Sequence, residues 1–168
     1  MKPFKLVAAL VFALFSMSAF AAGKIAVVNV QEAITQSDNA KIWLKKFESE
    51  HATEQADLRA MEAEIKAMQE RFKKDEAILS EEEKRKTNKS MQDKYEELQF
   101  RGKQLQKEFK TGQQEFVKGM LPKVNSALTQ LMEKNSYDLI VHREAVLMLA
   151  PQLDITEQVI EQLNKAKN

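Results

Sequence analysis

The 168-residue chain carries 26 Lys and Arg against 25 Asp and Glu, no cysteine and four glycines. A balance this even lacks the net basic surface that non-specific nucleic-acid binding needs, so no nucleic-acid partner is expected. Disulfides are excluded, and the scattered Gly23, Gly102, Gly112 and Gly119 make no phosphate-cradling loop.

Lys2 and Lys5 form a basic head, residues 6–15 are an apolar run, and Ala19-Phe20-Ala21 is a small-x-small site. That layout predicts a secretory signal peptide over residues 1–21, cut between Ala21 and Ala22. Its removal takes away two lysines and moves the formal net charge from +1 to −1. An exported chain without disulfides must draw its stability from packing or from assembly.

Residues 24–30 (KIAVVNV) read as a short strand buried on both faces, because the run is β-branched and apolar throughout. Residues 31–36 suit one helical turn, and Ser37 or Asp38 can cap the helix that follows. Residues 39–74 contain neither Gly nor Pro, which predicts a helical arm of roughly 50 Å.

Two apolar seams dominate the middle of the chain. Ala40, Leu44, Phe47, His51, Glu54, Leu58, Met61, Ile65, Met68 and Phe72 recur at spacings of three and four. Lys84, Asn88, Met91, Tyr95, Leu98, Gly102, Leu105, Phe109, Gly112 and Phe116 do the same, and pairs such as Ile65 with Met91 or Phe47 with Phe109 have residue numbers that sum to 156. Two heptad stripes with a constant sum predict two antiparallel helices packed as a coiled coil, folded over near Ile78. Ser80 with Glu83 three residues on is a capping box for the second arm, which should run from Glu81 to about Leu121, roughly 60 Å.

Near residue 117 the stripe changes phase to Val117, Leu121, Val124, Leu128 and Leu131, the mark of a new packing partner. Pro122 lies at the same place and is expected to kink or break the helix. Residues 137–141 (YDLIV) and 145–150 (AVLMLA) read as strands joined through His142-Arg143-Glu144, with Pro151 ending the second. Asp154-Ile155-Thr156-Glu157 opens a last helix carrying Val159, Ile160 and Leu163. The expected fold is α+β and predominantly α: a hairpin arm over residues 37–121, inserted in a small β-rich body from residues 22–36 and 122–168. A hairpin buries only a narrow seam, so the chain should be an obligate oligomer.

Enzyme chemistry is not expected. No nucleophile stands with a base, His51 and His142 lie in separate parts of the chain with no cysteine to complete a metal site, and no cofactor or metal is foreseen. His51 reads as a ring accommodated at the edge of the seam, and Glu81, Glu82 and Glu83 as a solvated helix start. Lys84, Arg85, Lys86 and Lys89 cluster near the turn, either as a solvated face balanced by those glutamates or as a contact for anionic lipid or lipopolysaccharide. Phe100 lies off the seam, and Ile78 and Leu79 crowd the turn, where the other arm cannot cover them. These three are the first candidates for contact with an outside partner. Met68, Phe72 and Met91 join them as adaptable seam residues near the turn, with ordinary seam packing as the competing reading.

The export signal, the opening AGKIAVVN, the long charged hairpin, the YDLIV strand and the DIT-led closing helix together resemble the Skp (OmpH-like) periplasmic chaperones over essentially the whole mature chain. The resemblance implies a homotrimer in the periplasm whose body is a small β-barrel and whose three hairpins enclose a cavity. Unfolded outer-membrane β-barrel proteins would be held there without ATP, protected from aggregation during outer membrane protein assembly. Gly102, Gly112 and Pro122 are places where such an arm could bend. One departure is the near-neutral charge, since members of the family are often strongly basic. The alternative is a non-catalytic spacer or adaptor of the cell envelope, which would hide Phe100 and the Ile78-Leu79 turn.

Overall fold

The computed structural model describes residues 23–165, and the expected signal peptide lies outside them. Strand β1 (Ile25–Val28) pairs in parallel with β2 (Leu139–His142), Ile25 opposite Leu139 and Val28 opposite His142. A parallel pair needs a crossover, and here the crossover is the whole helical arm. On its other edge β1 bridges Asp154, with the Ile155 amide donating to the Val27 carbonyl at 2.9 Å. Both ends of the chain therefore meet on one strand, whose Ala26, Val27 and Val28 are buried as the β-branched run predicts.

Helix α1 (Val30–Gln36) starts at Asn29, whose side chain accepts from the Glu32 amide, and ends at Ser37. The buried Ser37 hydroxyl donates to the Ile34 carbonyl at 2.7 Å and accepts from the Ala40 amide at 3.3 Å, so one residue closes α1 and opens α2 (Asp38–Glu50). The first arm is not one helix. It breaks at His51 (φ −103°, ψ 11°) and resumes as α3 (Ala52–Asp75). Residues 76–79 turn the chain, and α4 (Glu81–Asn135) returns with the expected capping box: the Glu83 amide donates to Ser80 Oγ at 3.3 Å, and the Ser80 amide to Glu83 Oε2 at 2.9 Å.

Pro122 does not end α4, which runs 55 residues, about 80 Å, and enters the body without a break. The lost proline N–H and the strain on the preceding turn are offset by core packing on both sides of it. Met120, Val124, Ala127 and Leu131 are buried on one face, while the expected seam residue Leu121 is largely exposed. The core joins these to Ala26, Val28, Ala33, Ile34 and Ile155, and to Val159, Ile160 and Leu163 of α5 (Thr156–Lys165). Asp154 Oδ1 accepts from the Thr156 amide at 2.9 Å, and Thr156 Oγ1 accepts from the Asn29 amide at 2.9 Å, tying the last helix to the first loop.

Residues 145–150 do not form the expected second strand. Arg143–Ala145 and Pro151–Leu153 are short 3-10 turns, and the segment between them has no ladder partner among the described residues. The predominantly helical α+β architecture stands, with a sheet of two strands.

Candidate functional site

The arms meet in the predicted register. Phe47 packs edge-on against Phe109 with ring centroids 5.2 Å apart, and Lys94 pairs with Glu64 across the seam at 2.9 Å. Near the body the seam is aromatic. Trp43, the single tryptophan, stacks on Phe116 at 5.5 Å and lies 5.5 Å from Phe109 and 5.8 Å from Phe47. Trp43 takes the inward place expected of Leu44, which is largely exposed.

Phe100 stands midway along the second arm (residues 81–121) with 69% of its surface bare. It lines one end of an open groove of about 740 Å³ that continues along the same helix face past Lys103, Gln104, Lys107, Thr111 and Glu115. Spacings of three and four keep these residues on one face, which offers an aromatic ring with the ammonium groups of Lys103 and Lys107 and the carboxylates of Glu108 and Glu115. Such a surface suits an extended chain with apolar side chains and charges of either sign.

At the turn Ile78 is 83% exposed, while Leu79, Met68, Phe72 and Met91 are half-buried on or beside the seam. Phe100 lies roughly 30 Å along α4 from the turn, so the expected contact residues form two separate patches. Of the basic cluster, Lys84 pairs with Glu81 at 3.0 Å and Lys86 with Glu82 at 2.7 Å. Arg85 and Lys89 point into solvent. The hydrogen bond from the Ser80 hydroxyl, helped by the Ser80 amide, holds the Glu83 carboxyl below its ordinary pKa.

A polar layer interrupts the seam at the break in the first arm. His51 Nδ1 lies 3.8 Å from Glu108 Oε2, and its ring packs on Phe47 at 4.1 Å. Arg101 reaches Asp57 at 3.2 Å and Glu54 at 3.6 Å, and the Asp57 hydrogen bond raises its already high pKa. His51 and Glu54 stood on the predicted seam; Glu108 and Arg101 did not, because each flanks the stripe by one position.

The body carries a third apolar surface. Leu147 is 99% and Met148 88% exposed, and Ile25 and Leu139, paired across the sheet, are half bare. No helix among the described residues is long and apolar enough to cross a membrane.

The family model described as outer membrane protein (OmpH-like) matches residues 24–163. A Skp-like protein of Pseudomonas aeruginosa is 32% identical over 150 residues, covering 89% of each chain. A crystal structure of an OmpH-like outer membrane chaperone from Caulobacter crescentus shares the fold, with a TM-score of 0.60 at 18% identity over 88% of this chain and 87% of that one.

Proposed function

The chain belongs to the OmpH-like outer membrane protein family, and from that premise we propose that it is an ATP-independent holdase of the periplasm. Unfolded outer-membrane β-barrel proteins are its clients, and it acts by shielding them, without catalysis. The observation that carries this reading is Phe100, a bare aromatic ring in a groove midway along the arm. An envelope spacer has no use for such a ring, which costs solubility and adds nothing to stiffness. The bare Ile78 at the tip supports the same reading. The hairpin (residues 37–121) is the client-holding part, and the body (residues 22–36 and 122–168) joins three copies so that their arms surround one client. Leu79, Met68, Phe72 and Met91 extend the contact surface near the tip, and Arg85 and Lys89 are the cations left for anionic lipid or lipopolysaccharide.

The test dilutes a urea-unfolded outer-membrane barrel into the mature protein without nucleotide, following aggregation by light scattering and stoichiometry by native mass spectrometry. One client per trimer and suppressed scattering are expected. Burying a phenylalanine ring is worth about 1.5–3 kcal/mol, so Phe100→Ser should weaken client binding at least tenfold. A protein that ignores the client overturns the function, and a Phe100→Ser variant that binds as well as the parent overturns the surface.

A further inference from the structure

The polar layer at the break in the first arm holds three metal-ligating side chains from both arms. One ligand atom from each of His51, Glu54 and Glu108 lies within 4.8 Å of the other two. His51 and Glu54 are three apart at the start of α3 and share a face, while Glu108 comes across from α4. Sequence alone hides this, since His142 is remote and no cysteine exists; the third ligand comes from folding the hairpin.

We propose that His51, Glu54 and Glu108 form a binding site for a transition-metal dication of the Zn²⁺ type, with water as the fourth ligand, that clamps the break in the first arm to the second. Three features favour a metal over a simple ion pair. The donor set, one imidazole and two carboxylates, is the mixed nitrogen–oxygen set that Zn²⁺ takes, and it is too poor in oxygens for Ca²⁺. Zinc bonds of about 2.0–2.1 Å place tetrahedral ligands about 3.3 Å apart. The 3.8 Å between His51 and Glu108 is near that already, and glutamate rotation supplies the rest.

Charge points the same way. At the cluster itself Glu54, Asp57 and Glu108 set three carboxylates around one guanidinium, Arg101, while Lys103 and Lys107 line the groove that Glu108 shares. Arg101 sits closer to Asp57 than to Glu54, so Glu54 can turn to the metal without stranding the guanidinium.

The His51 backbone adds a further argument. The arm breaks there although it holds neither Gly nor Pro, and the side chain makes no hydrogen bond to the start of α3 that it caps. The ring is turned onto the seam instead, between Phe47 and Glu108. A bound ion would fix the angle between α2 and α3 and so set how far the arm opens.

Isothermal titration of the mature protein with Zn²⁺ at pH 7.5 tests this, with Ca²⁺ titrated in parallel. One Zn²⁺ per chain is expected, with at least tenfold weaker binding in His51→Gln and in Glu108→Gln. His142→Gln and Glu62→Gln, at exposed positions away from the cluster, should bind as the parent does. Glu54→Gln gives a second reading if His51→Gln loses its helical circular dichroism. No saturable Zn²⁺ uptake, uptake that survives both His51→Gln and Glu108→Gln, uptake lost in His142→Gln, or Ca²⁺ binding as tight as Zn²⁺ would each overturn the proposal. Client capture plays no part in these readouts.

Discussion

Ser80 and Glu83 close the start of α4 from both directions, and at the residue scale this small motif makes a pH-dependent prediction. The folded state depresses the Glu83 pKa through its hydrogen bonds to Ser80. A depressed carboxyl contributes stability above its unfolded value, about 4.3, and loses that contribution as pH falls through the folded value. Amide exchange at residues 83–84, taken relative to the intrinsic rate at each pH, should therefore quicken below about pH 4.3. Ser80→Ala should quicken it about fivefold at pH 7, the effect of losing an average N-cap, and should flatten the acid dependence, which exchange-detected NMR of the tip would reveal. Equal exchange in parent and variant would mean the tip frays regardless of its cap. This motif was legible because its partners are three residues apart and need no tertiary context. Trp43 was not: Ala40, Trp43, Phe47 and Ala40, Leu44, Phe47 are equally valid heptad spacings, and only the aromatic faces of Phe109 and Phe116 decide between them. Ser136 was equally hidden, ending α4 in the left-handed region (φ 53°) where glycine is the usual residue.

At the scale of elements, the constant-sum pairing located the turn and the register, since side chains three and four apart must share a face whatever surrounds them. Cross-arm contacts at Phe47–Phe109, Lys94–Glu64 and Arg101–Glu54 follow it closely. Helix ends were less legible. The break at His51 has no local cause in the sequence, and the continuation through Pro122 depends on core contacts from β1, α1 and α5 that lie far away along the chain. The arm glycines differ in the same contextual way. A Cβ at Gly102 would meet open space, whereas at Gly112 it would come 3.3 Å from Trp43 Cζ2. Gly102→Ala should therefore stabilise the arm by about 0.8–1 kcal/mol, the helix-propensity difference. Gly112→Ala should gain less or lose stability, because Trp43 must shift within its aromatic cluster. Urea unfolding at fixed protein concentration separates the two. If bending at these glycines serves client capture, the double variant should also hold fewer of the larger clients, and unchanged capacity would show that the arm adapts elsewhere.

On the scale of the whole molecule, the unfulfilled strand at residues 145–150 bears on assembly. The run has strand composition, yet among the described residues the sheet stops at two strands and β2 keeps an open edge. An open edge, together with the almost fully bare Leu147 and Met148, is an aggregation hazard in a lone chain and an interface in an oligomer. Strand pairing needs a second edge, and in the proposed trimer a second copy would supply the one that the described residues do not. Each large apolar side chain so buried contributes about 1.5–3 kcal/mol, and a three-fold arrangement repeats that gain at every interface. Leu147→Asp combined with Met148→Ser should then convert the proposed trimer to monomer in sedimentation velocity at micromolar concentration. Client uptake should fall with it, although Phe100 and its groove lie untouched on the arm, because one hairpin cannot surround a client. A variant that stays trimeric would place the interface on another face of the body, and a monomer that still captures one client would show that a single arm suffices.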